Sequence, residues 1–286
     1  MTQPLARDAI ENAFLAACHA ELSALKPGNV HIHAAGHGMD IEHFKRAAAA
    51  AAPFIADPAL TVGKRILRAT EASFGVTGLN TNLGIVLLCA PLAKAAAETD
   101  PTMGLRRRLA VILGTLTKDD ADDAFAAIVL ANPAGLGKVE HGDVRQSGPR
   151  LTLIEAMYMA KDRDRIANAY VTAYEDIFDF ALPALSDART RAENDDLATT
   201  TLHMTLLAAF PDSHIGRKFG MEAAQMVQHE ASTLKPYWSP VATDNHLAKL
   251  AEFDSSLKAR GLNPGTTADF VVATVFTALL SRRKVP

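Results

Sequence analysis

The sequence predicts an all-α fold, and three observations predict it. Alanine supplies 53 of the 286 residues, and alanine is the best helix former and a poor strand former. Apolar residues recur every three or four positions along most of the chain, the period of a helix with one buried face. Long alternating runs of Val, Ile, Thr and aromatic residues are scarce. Small alanine side chains also let helix axes approach. The expected architecture is a single-domain multi-helix bundle of about ten to twelve helices over residues 1–286.

The elements follow in order. Over 9–25, Ile10, Phe14, Cys18, Leu22 and Leu25 mark one apolar helix face. Lys26-Pro27-Gly28 ends that helix, because proline disfavours helix at the residue before it and glycine permits unusual dihedrals. Further helices are expected over 41–56, 59–74, 82–98, 105–116, 119–131, 151–161, 163–184, 195–210, 214–234, 242–259 and 267–282. Pro53 and Pro91 should end or kink theirs. The stretch 132–150 is the least helical. It holds Gly135, Gly137, Gly142 and Gly148 with the polar residues Lys138, Glu140, His141, Asp143, Arg145 and Arg150. It suits an interdomain linker or a folded functional loop equally. No repeat or strong composition shift marks it as a boundary, so one domain is preferred. Residues 193–196 form a short polar break, read as a surface turn.

Composition excludes several classes. Hydrophobic residues make up 49% and charged residues 21%, ordinary globular values. A net charge of −3 and a pI near 6.4 argue against a nucleic-acid binder working by bulk charge. The two cysteines, Cys18 and Cys89, lie in apolar stretches, so a disulfide framework is not expected and a reducing cytoplasm fits. Residues 1–8 carry no basic-then-apolar signal pattern. The apolar tracts 83–97 and 270–280 are shorter than the roughly 20 residues a bilayer requires. No membrane partner is expected. The 270–280 tract reads as core, with a homodimer face as the alternative.

Four turns could carry chemistry. Each is a Pro-, Gly- or Asn-rich stretch leading into an apolar helix. In the last, 261–269, Thr266-x-x-Asp269 has capping-box spacing, which is the structural reading. A helix N-terminus also offers N–H groups to a phosphate, and Asp269 there would need Mg²⁺ between itself and that phosphate. Asn263, Thr266, Thr267 and Asp269 could thus hold a magnesium nucleotide. In 210–218, His214, Arg217 and Lys218 share one helical face, with Asp212 or Ser213 as the cap. Paired cations suit a triphosphate; a solvated basic face is the bland alternative. Asn80-Thr81-Asn82 opens a very apolar helix. Capping needs one such residue, so three suggest ribose or phosphate contacts as well. Glu71 lies on the preceding helix. His31, His33 and His37 match no tight zinc spacing and read as a loop. Asp162-Arg163-Asp164-Arg165 reads as a surface ion-pair run. No P-loop, Gly-x-Gly-x-x-Gly or Gly-x-Ser-x-Gly motif occurs.

Taken in order, the turns Lys-Pro-Gly-Asn-Val (26–30), Asn-Thr-Asn-Leu-Gly (80–84) and Asn-Pro-Gly-Thr-Thr-Ala-Asp (263–269) resemble the triphosphoribosyl-dephospho-CoA synthase family. The resemblance spans nearly the whole chain. It implies an all-α enzyme that transfers the triphosphoribosyl part of ATP to the ribose 2′-hydroxyl of 3′-dephospho-CoA and releases adenine. The best-known members tend to read Lys-Pro-Gly-Leu-Val-Asp and Asn-Thr-His-Lys-Gly. Here His31 replaces the Asp, and Asn82-Leu83 replaces His-Lys. Gly148-Pro149-Arg150 at best echoes their Gly-Ala-Arg-Gly-Glu. Residues 211–218 look more like a methanogen and methylotroph branch, for which a tetrahydromethanopterin-type coenzyme precursor is an alternative acceptor.

The resemblance implies ATP as donor, Mg²⁺, small-molecule substrates and a cytoplasmic biosynthetic role. Cleaving the C1′–N9 bond develops oxocarbenium character that a carboxylate stabilises. One displacement inverts the anomeric centre. Asp269 is expected on Mg²⁺ and the phosphates, with Arg217 and Lys218 on the triphosphate. Asn80 and Asn82 are expected on sugar or phosphate, and Lys26, with Asn29 beside it, on a phosphate. Glu71 and His31 are the acid–base candidates. Two further classes stay open: a non-catalytic ATP-binding helical protein, and a helical metal phosphohydrolase. The second is disfavoured because no His-Asp dipeptide occurs.

Overall fold

Proline and glycine punctuate the helices, and side chains distant in sequence decide where the chain bends between them. The coordinates are a computed structural model describing residues 4–98, 100, 103–132 and 151–281. The polar residues 138–150 singled out above, and the echo at 148–150, lie outside the described residues. Among the described residues there are fourteen α-helices and no strand, with isolated bridges at His31–Ala34 and Gly36–Met39. None of the helices is long and apolar enough to cross a membrane.

The chain gathers into two compact units. The first comprises residues up to 16, 44–175 and 276 onward; the second comprises 17–43 and 176–275. The helices are α1 (Arg7–Ser23), α2 (Ile41–Ala56), α3 (Val62–Thr77), α4 (Leu83–Ala97), α5 (Leu105–Gly114), α6 (Lys118–Ala131), α7 (Leu153–Ala160), α8 (Arg165–Val171), α9 (Leu182–Arg191), α10 (Asp195–Ala209), α11 (Ser213–Phe219), α12 (Met221–Thr233), α13 (Leu247–Ala259) and α14 (Gly265–Ser281).

In the first unit, α2 and α3 approach closely through alanine. Ala47, Ala48, Ala51 and Ala52 are buried. The Ser73 hydroxyl on α3 donates 3.1 Å to the Ala47 carbonyl on α2, a contact that requires the two backbones to be near. Where α3 meets α6, a Cβ on Gly63 would lie 2.4 Å from Asp120 Cα. Asp120 also caps its own helix with Thr117 and accepts the Gly63 N–H at 2.8 Å. Phe14 and Phe276 meet edge to face at 5.9 Å.

Pro91 lies within α4. Proline has no N–H, so the Leu87 carbonyl four residues back loses its helical partner. The Tyr170 hydroxyl replaces it, donating at 2.7 Å, and Tyr174 donates to the next carbonyl, Leu88, at 3.0 Å. These bonds explain one departure from expectation. The helix expected over 163–184 is broken, because Ala173 and Tyr174 take positive φ of 49° and 60°. A π-helical turn (Asp176–Ala181) and α9 follow. Asp164, in the ion-pair run, caps α8.

In the second unit, the helix expected over 214–234 divides into α11 and α12 at Gly220, whose φ is 92°. These two breaks raise the helix count above the expected ten to twelve. Met204, Ile215, Val227, Trp238, Leu250 and Leu257 are central to the core. The Trp238 indole N–H donates 2.9 Å to the Ala231 carbonyl.

Candidate active site

The Lys-Pro-Gly-Asn-Val turn follows α1 in the second unit, and its lysine points inward. Lys26 is fully buried and forms an ion pair with Glu21, itself buried on α1. Its ammonium also donates to Asn29 Oδ1 at 3.3 Å and to the Val30 carbonyl at 2.8 Å. An ammonium has three donors, and here all three are taken by the protein. Lys26 thus fastens the loop that carries it. Burial lowers the Lys26 pKa, opposed by Glu21, and burial raises that of Glu21. Gly28 takes φ 84°, and a Cβ there would meet Pro264 Cδ at 2.7 Å and Leu257 Cδ1 at 2.9 Å. Asn29 donates 2.9 Å to Asn263 Oδ1, so two of the expected binding residues hold each other.

Beside this loop is a cluster built on Asp254 of α13. Its carboxylate accepts the Gly28 N–H at 2.8 Å and Lys258 Nζ at 2.9 Å, and lies 3.3 Å from His31 Nε2. Burial pushes its pKa up, but these bonds, His31 foremost, outweigh that and lower it. His31 Nδ1 accepts the His33 N–H at 3.3 Å, which assigns the Nε2 proton to the Asp254 side. Burial lowers the His31 pKa, opposed by Asp254. His37 instead faces the Gly28 carbonyl at 2.9 Å. His31 and His37 therefore hold different partners. His203, on α10, is fully buried with no hydrogen-bond partner for either ring nitrogen. Burial, then Lys26, lowers its pKa to about 3, although the nearby Pro27 carbonyl favours the proton.

The other centre joins the starts of α11 and α14. Asp212 caps α11, accepting the Ile215 N–H at 3.0 Å. Its second oxygen accepts both the N–H and the hydroxyl of Thr267, at 2.7 and 2.8 Å. Ser213 Oγ lies 3.3 Å from Thr266 Oγ1. The capping box read at Thr266-x-x-Asp269 is corrected here. α14 already begins at Gly265, and its first turn is capped by Asp212 from elsewhere in the chain. The N–H groups of Gly265 and Ala268 are taken by Asn263 and Pro264 carbonyls, so little of that terminus is left open to a phosphate. The His214 ring lies against Gly265, at 3.4 Å from where a Cβ would stand. Burial lowers its pKa, opposed by Asp212. Arg217 is half-buried, Lys218 exposed and Asp269 half-buried. Asp269 is close enough to Lys26 to favour its charged form.

Glu71, Asn80, Thr81 and Asn82 belong to the first unit. Glu71 is exposed and pairs with Arg68 at 2.9 Å. Asn80 accepts the Leu83 N–H at 3.4 Å, and Asn82 donates 3.1 Å to Ser73 Oγ. The Thr81 hydroxyl is buried without a partner. Among the described residues no group of three His, Cys, Asp or Glu could hold a metal ion. Mg²⁺ does not need one. It is commonly held by one or two carboxylates plus substrate phosphates and waters, and Asp269 is a half-buried carboxylate of the second unit.

The sequence profile of one family, CitG: ATP:dephospho-CoA triphosphoribosyl transferase, matches residues 7–285. The chain belongs to the CitG family. Two curated relatives match this chain over part of their length. A probable 2-(5''-triphosphoribosyl)-3'-dephosphocoenzyme-A synthase of Citrobacter koseri is 24% identical over 140 residues, 49% of this chain and 46% of the relative. The synthase of that name from Pectobacterium atrosepticum is 27% identical over 120 residues, 42% and 38% respectively. The chain thus spans less than half the length of the curated relatives it matches. A solved structure described as a putative triphosphoribosyl-dephospho-CoA synthase from Archaeoglobus fulgidus superposes with a TM-score of 0.64. It is 23% identical and covers 82% of this chain and 97% of that one, so it shares the fold.

Sequence reasoning missed Glu21, His203, Asp254 and Lys258 in this CitG-family chain. Three of them had a signal. Glu21 lies three residues after Cys18 and seven after Phe14, on the apolar face of α1. Asp254 shares the face of Leu250 and Leu257, and His203 stands between Leu202 and Met204. A charged or polar group on a core face needs a partner or a purpose.

Proposed function

We propose that this chain transfers the triphosphoribosyl group of ATP to the ribose 2′-hydroxyl of 3′-dephospho-CoA and releases adenine. The observation that carries the reading is the family match over residues 7–285. The proposed site is confined to the second unit. There Arg217 and Lys218 follow His214 on α11, and Asp212 ties the start of α11 to the start of α14. Arginine clamps phosphate oxygens in pairs and lysine adds a point charge. Asp269 would hold Mg²⁺ together with phosphate oxygens, and the ion when bound supplies charge neutralisation on the triphosphate.

In the transfer, the acceptor oxygen bonds to C1′ as the C1′–N9 bond breaks. The hydroxyl proton goes to a base, and adenine leaves with a proton from an acid or water. His31 is the acid–base candidate of the second unit through Nδ1, which must first release the His33 N–H, with Asp254 holding Nε2. Glu71, exposed and paired with Arg68 in the first unit, is left outside the proposed site. Asp269, half-buried, is the carboxylate offered to the developing positive charge. Asn29, Asn263, Thr266 and Thr267 shape the site through the bonds described, and Lys26 holds its loop.

A second acceptor with the same donor, a tetrahydromethanopterin-type coenzyme precursor, is favoured by residues 211–218, which look more like the methanogen and methylotroph branch. The test is adenine release from Mg-ATP, by chromatography with mass detection, with each acceptor and with none. Adenine together with a triphosphoribosylated dephospho-CoA is the expected result. Adenine only with the pterin-type precursor would select the second acceptor. ATP binding with no adenine under any condition would overturn the enzymatic reading in favour of a nucleotide-binding protein.

A further inference from the structure

The Asp212 carboxylate lies in an unusual position for a site meant to attract phosphates. It is buried, with 2% of its surface exposed. It is a negative charge placed two residues before His214 and five and six residues before Arg217 and Lys218. By electrostatics alone it should weaken any polyphosphate bound there. Yet it accepts three bonds, all from groups that define the two helix starts. Ile215 N–H fixes the first turn of α11, and the Thr267 N–H and hydroxyl fix the first turn of α14. The Ser213–Thr266 hydroxyl contact and the packing of His214 on Gly265 run across the same joint. Every contact belongs to the second unit.

We infer that Asp212 is a positioning residue: it does not touch the nucleotide but locks α11 to α14, so that Arg217 and Lys218 present to a polyphosphate in a fixed place relative to Asp269. This rests on the proposed function for the identity of the polyphosphate as that of ATP. The chemistry supports a lock over a ligand contact. A carboxylate that accepts two N–H groups and a hydroxyl has three of its about four acceptor positions taken by the protein. Charge-assisted bonds of this kind are roughly twice as strong as neutral ones. A short α11 of seven residues has little propensity to hold its own position, so its aim depends on such anchors.

The two roles predict opposite signs. Asp212→Asn removes a negative charge near the cations, and a purely electrostatic role would tighten polyphosphate binding. A lock predicts weaker binding, because an amide nitrogen or a single oxygen cannot accept both Thr267 donors as well as Ile215. The experiment is calorimetric binding of inorganic tripolyphosphate to the full chain, wild type and variants, at a temperature where each is folded by circular dichroism. Asp212→Asn should weaken binding about tenfold. In an Arg217→Ala background its effect should be smaller, since only Lys218 is left to aim. If Asp212→Asn fails to fold, Thr267→Val, which keeps the carboxylate and deletes one donor, should weaken binding in the same direction. Thr267→Ser should restore it. Equal or tighter binding by the folded Asp212→Asn or Thr267→Val variant would overturn the inference, as would full additivity with Arg217→Ala. Absence of tripolyphosphate binding in the wild type would overturn it too. Wild-type tripolyphosphate binding without adenine release would leave the lock in place and count against the proposed transfer alone.

Discussion

Replacing Gly28 by alanine separates two costs that usually come together. Gly28 has a φ of 84°, and its missing Cβ would lie 2.7 Å from Pro264 Cδ, 2.9 Å from Leu257 Cδ1 and 3.0 Å from the Leu262 carbonyl. Gly38, ten residues on in the same unit, has nearly the same backbone, φ 77°, with nothing within 4 Å. A left-handed conformation costs an L-residue about 1–2 kcal/mol. Forcing an extra carbon into a packed site adds about 1–3 kcal/mol. Gly38→Ala should therefore lose about 1–2 kcal/mol, and Gly28→Ala about 2–5 kcal/mol. The Leu262 carbonyl is backbone and cannot swing away as a flexible side chain would. Urea unfolding followed by circular dichroism reads both losses. The difference between the two variants isolates the close approach of the Lys-Pro-Gly turn to residues 257–264. Equal losses for the two variants would refute that close approach. The Gly28 variant should also lose adenine release beyond its loss of stability, because Lys26, Asn29 and His31 are held by the same turn.

Three further outcomes follow from the buried polar groups. Lys26→Met strands Glu21 in the core and should cost about 3–5 kcal/mol. The deficit should shrink as pH falls, because burial already raises the Glu21 pKa, and a raised folded pKa means stability is kept at low pH and lost as pH rises; a deficit that grows toward low pH would contradict this. Tyr170→Phe should cost about 1–3 kcal/mol by orphaning the Leu87 carbonyl, and less in a Pro91→Ala background where the helix N–H returns; equal costs in a double-mutant cycle would refute the replacement. For His203, the unfolded ring titrates near 6.5 and the folded ring near 3. Stability from its neutral form is present above pH 6.5 and falls away between about 6.5 and 3, at up to about 1.4 kcal/mol per pH unit. His203→Leu should thus gain about 2 kcal/mol on wild type between pH 7 and pH 5, read from urea unfolding at the two values; parallel pH profiles would exclude His203 as the source.

The helices were legible because apolar periodicity and the Pro/Gly punctuation are local signals. The starts of α2, α5 and α10 fall where the pattern puts them. The break after α8 was not legible, since its cause is a carbonyl freed by Pro91 some eighty residues earlier and filled by Tyr170 and Tyr174. Gly220 was visible as a residue, but nothing local shows that its φ would be positive. At the site, the sequence marked the right turns and misjudged what some of their residues hold. Lys26 reads as a cation offered to a phosphate, whereas its partner is Glu21 five residues earlier on the buried face of α1. Asp212 or Ser213 reads as the cap of α11, and Asp212 is the one that caps it. Its second oxygen, bonded to Thr267, depends on a tertiary contact across 55 residues. Asp254 and His203 stood on core faces, and only the folded arrangement brings them to His31 and Lys26.

The most direct test of the central claim is the mass of the acceptor after incubation of the purified full chain with Mg-ATP and 3′-dephospho-CoA. The account predicts a dephospho-CoA heavier by one triphosphoribosyl group, formed in step with free adenine, and its loss in Asp269→Asn protein that folds normally. An acceptor of unchanged mass with ATP intact, or undiminished product from Asp269→Asn, would contradict it.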